Sequence, residues 1–181
     1  MRRIFVVIQA ILLFHILAFA QNTALHEVRI GIPEFALLNI EHAGENQQIS
    51  REVDPAVAVQ LIRLSNSREH ECWISYSSLV KGGKLERKVV ASLTGSIPEG
   101  VSVSVEASDY SGNGKGRTGI PSGKKLLSGN PEEIISGIGN CYTGKGSSNG
   151  HLIRLIIEVD PEETFPSQFA GDLMVTYRIT E

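Results

Sequence analysis

The side chains able to do chemistry are few and scattered along these 181 residues. Gly114-Lys115-Gly116-Arg117-Thr118-Gly119 has the letters of a dinucleotide-binding G-x-G-x-x-G loop. Such a loop must open a helix whose amides face the pyrophosphate, whereas Ile120-Pro121-Ser122-Gly123 reads as a turn. Gly139-Asn140-Cys141-Tyr142-Thr143-Gly144-Lys145 misses a phosphate-binding P-loop by one residue, because Gly146 stands where Ser or Thr would hold magnesium. Neither run is read as a nucleotide site, and no cofactor is expected.

Histidines and acids point to no metal. His26, His42, His70 and His151 follow neither H-x-x-H nor H-E-x-x-H spacing. His70 stands between Glu69 and Glu71, whose charges would favour its protonated form. Asp54, Asp109, Asp160 and Asp172 are isolated beside Pro, Gly or Tyr and read as turn formers before calcium ligands. No G-x-S-x-G elbow marks a nucleophilic serine, so the chain is expected not to be an enzyme.

The only cysteines are Cys72 and Cys141. An even count in an exported chain implies one disulfide, here closing a loop of about 70 residues worth roughly 4 kcal/mol in the chain-entropy model. Trp73, next to Cys72, is expected in the core against that bridge rather than on the surface as a sugar platform. Two glycine-rich stretches, 108–123 and 137–150, read as long surface loops, the usual home of binding residues. Their candidates are Asp109, Lys115, Arg117, Tyr142 and Lys145.

The elements that must position these residues have a period of two. Val28, Ile30 and Ile32 alternate with Glu27, Arg29 and Gly31, and Val101, Val103 and Val105 alternate with Ser102, Ser104 and Glu106. Further strands are read around 57–61, 73–77, 88–93, 152–159 and 173–179, separated by Gly, Pro, Asn and Ser. Helical signal is confined to one or two short turns. Asn130-Pro131-Glu132-Glu133-Ile134-Ile135 has a capping Asn, a first-position Pro and acids in its first turn, and Asp54-Pro55-Ala56-Val57 could open another. The fold class predicted is a single all-β antiparallel sandwich.

The first twenty residues carry an address. A basic start (Arg2, Arg3), an apolar run from Ile4 to Phe19 and the small-residue end Ala18-Phe19-Ala20 make a secretory signal peptide. The run falls short of the roughly 20 residues that span a bilayer. Residues 21–181 then form one exported domain with 15 basic and 20 acidic side chains, a formal charge of −5. That balance disfavours phosphate backbones and anionic lipid, so neither nucleic acid nor membrane insertion of the mature chain is expected.

Several segments, taken in order, resemble exported pilin-like and coat-like β-sandwich domains of Gram-negative bacteria. They are Ile32-Pro33-Glu34-Phe35-Ala36-Leu37-Leu38, Trp73-Ile74-Ser75-Tyr76-Ser77-Ser78, Ile97-Pro98-Glu99-Gly100, Tyr142-Thr143-Gly144 with Gly150-His151, and residues 171–180. The resemblance spans most of residues 25–181 and is one of pattern and order. It implies an Ig-like sandwich without catalysis, serving as a structural or adhesive subunit in contact with copies of itself or other surface subunits. In that setting Val28, Ile30 and Ile32 mark a strand donated to a neighbour's sheet edge, or the first strand of this domain's own sheet. Tyr177, fifth from the end, departs from the pilin pattern, in which a Tyr is next to last. The alternative reading is a secreted carbohydrate- or ligand-binding module using the two glycine-rich loops, and after it a small hydrolase or inhibitor.

Overall fold

The computed structural model describes residues 33–43, 49–50, 54–63, 69–82, 86–160 and 172–181. The signal segment 1–20 and the strand expected around Val28, Ile30 and Ile32 lie outside them. The described residues are all-β, in the order β1 (Phe35–His42), β2 (Ile49–Ser50), β3 (Val57–Arg63), β4 (Glu69–Leu79), β5 (Arg87–Thr94), β6 (Val101–Ala107), β7 (Lys115–Pro121), β8 (Lys125–Leu126), β9 (Glu132–Tyr142), β10 (His151–Val159) and β11 (Asp172–Thr180). Every pairing is antiparallel.

The strands run β2-β3-β11-β5-β9-β4-β10-β6-β8, with β1 on the flank of β4 and β7 on the flank of β9. This continuous sheet folds into a sandwich, one layer built around β3, β11 and β5 and the other around β4, β10 and β6. β9 serves both: residues 132–138 pair with β5, and Cys141 and Tyr142 pair with β4. Alternation decides the core. Val89, Ala91 and Leu93 of β5 and Ile153, Leu155 and Ile157 of β10 turn inward, with partly exposed neighbours between them. They meet Ile74, Val103, Val105, Ile134, Ile138, Leu173, Val175 and Tyr177 in one apolar cluster. Each such side chain contributes about 1.5–3 kcal/mol by leaving water.

Three expectations from the sequence are corrected here. Residues 132–142 form β9 and not a capped helical turn. The Asn-Pro-Glu-Glu signal is local, whereas pairing on both edges of β9 satisfies its backbone along its length. Residues 115–121, expected within a loop, are strand β7, held by its ladder to β9 despite a glycine-rich sequence. A register shift between Gly116 and Thr118 absorbs the irregularity.

The third correction concerns the cysteines. Both are free thiols. Cys141 lies opposite Ser78, six residues along β4 from Cys72, a displacement of about 20 Å at the rise of a strand. A disulfide requires Cα atoms within roughly 7 Å. Cys72 instead faces the core, its Sγ 3.5 Å from Gln60 Oε1, which also accepts the Tyr177 hydroxyl at 3.0 Å. Burial pushes the Cys72 thiol up to about 12 and that of Cys141 up to about 11, so neither is a nucleophile near neutral pH. Trp73 follows Cys72 on the opposite face of β4 and is half-buried there, across from Glu41. The expected result is a thermal midpoint that dithiothreitol leaves unchanged, with two alkylated cysteines found by mass after unreduced unfolding. A midpoint lowered by reduction would restore the disulfide.

His70 is likewise set by the fold. It turns inward from β4, and burial lowers its pKa from the usual imidazole value. Glu71 points to the other face, where it takes Arg154 Nε at 3.1 Å. The folded state thus binds fewer protons at His70 than the unfolded chain, and stability is lost as pH falls below about 6.5.

Candidate functional site

The described residues form an open groove of about 840 Å³, within the roughly 300–1,000 Å³ range of small-molecule sites. Its walls come from four separate stretches: Leu37 to Glu41 of β1, residues 54–58, Ser75 to Ser77 of β4, and Tyr142 with Gly144 and Lys145. Register brings these together. Leu37 is opposite Ser77, Ser77 is opposite Tyr142, and Tyr142 is opposite Lys115, making one row across β1, β4, β9 and β7. Directly opposed antiparallel residues project on the same side of the sheet. Leu37 is 47% exposed and Tyr142 50% exposed, an apolar side chain and an aromatic ring left facing solvent from β1 and β9.

The ring of Tyr142 has a fixed base. Thr143, fully buried, gives its amide to Tyr76 O at 3.0 Å and its hydroxyl to the same oxygen at 3.0 Å, while Tyr76 N donates to Thr143 Oγ1 at 2.8 Å. Gly114 lies just beneath, because a Cβ there would stand 2.1 Å from Tyr142 O. Only glycine lets β7 approach so closely.

Under this row lies a buried polar network. His151 Nδ1 is 2.8 Å from Ser108 O, an acceptor, so that nitrogen carries the proton. The Tyr76 hydroxyl donates to Thr118 O, and His151 Nε2 lies 2.9 Å from that hydroxyl. The Tyr76 and His151 rings are stacked at 5.8 Å. Tyr110 completes the network, accepting from Gly114 N at 2.6 Å and donating to Thr143 O at 3.0 Å. Burial holds the Tyr76 phenol well above the usual tyrosine range, so it is a structural hydroxyl.

The loop after Tyr142 is stapled over the sheet. Glu41 Oε1 accepts Gly146 N at 3.1 Å and Asn39 Nδ2 at 3.2 Å. Asn149 donates to Lys145 O at 2.9 Å and takes Asn113 N at 3.3 Å. Glu41→Ala is expected to cost about 1 kcal/mol and to speed amide hydrogen exchange across 143–150 several-fold. Unchanged exchange there would show that Glu41 does not hold the loop.

Of the sequence candidates, Tyr142 and Lys145 line the groove and Lys115 stands beside Tyr142 in register. Arg117 is committed elsewhere, 2.8 Å from Glu86, and Asp109 is exposed on the turn after β6, outside the groove wall. Sequence reading missed Leu37, Asn39, Glu41 and Ser75, whose alternation along β1 and β4 was the one available signal. Among the described residues, no three His, Cys, Asp or Glu side chains converge as metal ligands.

No family model and no curated protein matches the chain. Among solved structures it is similar to TmCBM61, a carbohydrate-binding module in complex with β-1,4-galactotriose. The identity is 13%, over 79% of this chain and 87% of that one, with a TM-score of 0.32. At that identity and score nothing about a ligand transfers from one protein to the other.

Proposed function

We propose that this chain is an exported, non-catalytic β-sandwich that binds saccharides in the groove at Tyr142. The observation that carries the reading is a half-exposed aromatic ring at a strand end, set in an open groove with hydroxyl, amide and carboxylate neighbours. A pyranose offers an apolar C–H face to such a ring and hydroxyls to Ser77, its neighbour across the β4–β9 ladder. A small number of fixed polar groups beside an apolar platform is the arrangement that orients a ligand without reacting with it. Export through the segment 1–20 would place the module outside the cytoplasm. A panel of immobilised neutral and acidic glycans tests the reading: saturable binding by the monomer supports it, and a blank panel overturns it.

A second reading, a pilin-like subunit of a surface assembly, is favoured by the edge of the sheet. Among the described residues β1 pairs along β4 on one side and, on the other, gives Leu38 N to Pro55 O. Residues 25–32 lead directly into it, and copies of this chain or other surface subunits would be the partners. Light scattering after size exclusion separates the two readings: a concentration-dependent ladder supports assembly, and a stable monomer supports the binding module.

A further inference from the structure

We infer that the groove selects acidic saccharides, with a ligand carboxylate held between Lys115 and Lys145 while its ring lies on Tyr142. This rests on the saccharide reading and gives it a chemical class. Lys115 is opposite Tyr142 in the β7–β9 ladder, so both side chains rise from the same face. Lys145 lines the groove three residues beyond the ring. Lys115 is thus the ring's cross-strand neighbour outside the groove wall, Lys145 lies on the wall itself, and both residues are exposed.

The charges in and around the groove are not equally available. Glu41 already accepts Gly146 N and Asn39 Nδ2, and Asp54 Oδ1 accepts Ala56 N at 2.9 Å. Both carboxylates are engaged by donors of the fold itself. Arg117, the other cation of β7, is neutralised by Glu86 at 2.8 Å. Lys115 and Lys145 form no ion pair among the described residues. A neutral sugar would leave both ammonium groups unused beside its ring, whereas a uronic acid supplies the missing anion. The chain's overall negative charge does not prevent this, since exposed charges beyond about 8–10 Å are screened at physiological salt.

The test compares a galacturonic acid trimer with its methyl ester, the same sugar skeleton with the charge removed. Calorimetry on the full mature chain at 20 mM and 300 mM NaCl is expected to show the acid binding roughly ten-fold tighter at low salt. The advantage should shrink to less than two-fold at high salt. It should also vanish in the Lys115→Gln, Lys145→Gln double variant, which removes charge from exposed positions and keeps the fold. Equal binding of acid and ester by the wild type overturns the acidic preference and leaves saccharide binding standing. Binding of neither trimer also overturns it, and a blank neutral and acidic glycan panel in addition removes the reading on which it rests.

Discussion

His151→Ala is expected to lower stability by about 3–4 kcal/mol, which in a domain of this size moves the thermal midpoint by roughly 10 °C. The imidazole is fully buried and joins segments far apart in the chain: Ser108 after β6, Thr118 on β7, Tyr76 on β4 and its own strand β10. Alanine leaves a cavity beneath the Tyr76 ring and strands the Ser108 carbonyl without its donor. An unsatisfied buried group costs more than the bond it lost contributed. Urea unfolding with an unchanged slope and a lower midpoint is the expected measurement. Tyr76→Phe, which keeps the ring and removes one hydroxyl, should cost only about 1 kcal/mol. A His151→Ala loss below about 1 kcal/mol would mean that the ring does not join these segments.

The second large effect belongs to the groove. Tyr142→Ala is expected to weaken saccharide binding by ten- to hundred-fold, the equivalent of about 1.5–3 kcal/mol. Its unfolding midpoint should stay near wild type. The ring is half exposed, and its backbone is held by pairs to Ser77 and Lys115 that alanine retains. Tyr142→Phe preserves the platform and should retain most of the affinity, because the contribution is the apolar face rather than the hydroxyl. Titration of each variant against the tightest glycan of the panel measures this. Wild-type affinity in Tyr142→Ala would remove the ring from the site and with it the main support for the proposed function.

These two residues also show how far a chain can be read unaided. Tyr142 was visible as a candidate because it interrupts a glycine-rich stretch, where an aromatic has no core to fill. His151 was visible only as one of the four scattered histidines of residues 21–181. Its partners are supplied by Tyr76 and by backbone carbonyls at 108 and 118, and no spacing rule links those positions.

Alternation by itself determined strands around 57–61, 88–93, 101–105 and 173–179, and an apolar, β-branched run the one at 152–159, because both are local properties that survive in any context. It therefore also determined the fold class. Tertiary structure decided everything that depends on which strand lies beside which. The Asn130–Ile135 stretch carries a good local helix signal, yet pairing with β5 and β7 makes it strand. Cys72 and Cys141 satisfy the arithmetic of a disulfide, yet the β4–β9 register sets them about 20 Å apart along the sheet. The groove joins residues 37–41, 54–58, 75–77 and 142–145. Side-chain period is local physics, but cross-strand neighbours are chosen by register, which only the packed sheet as a whole specifies.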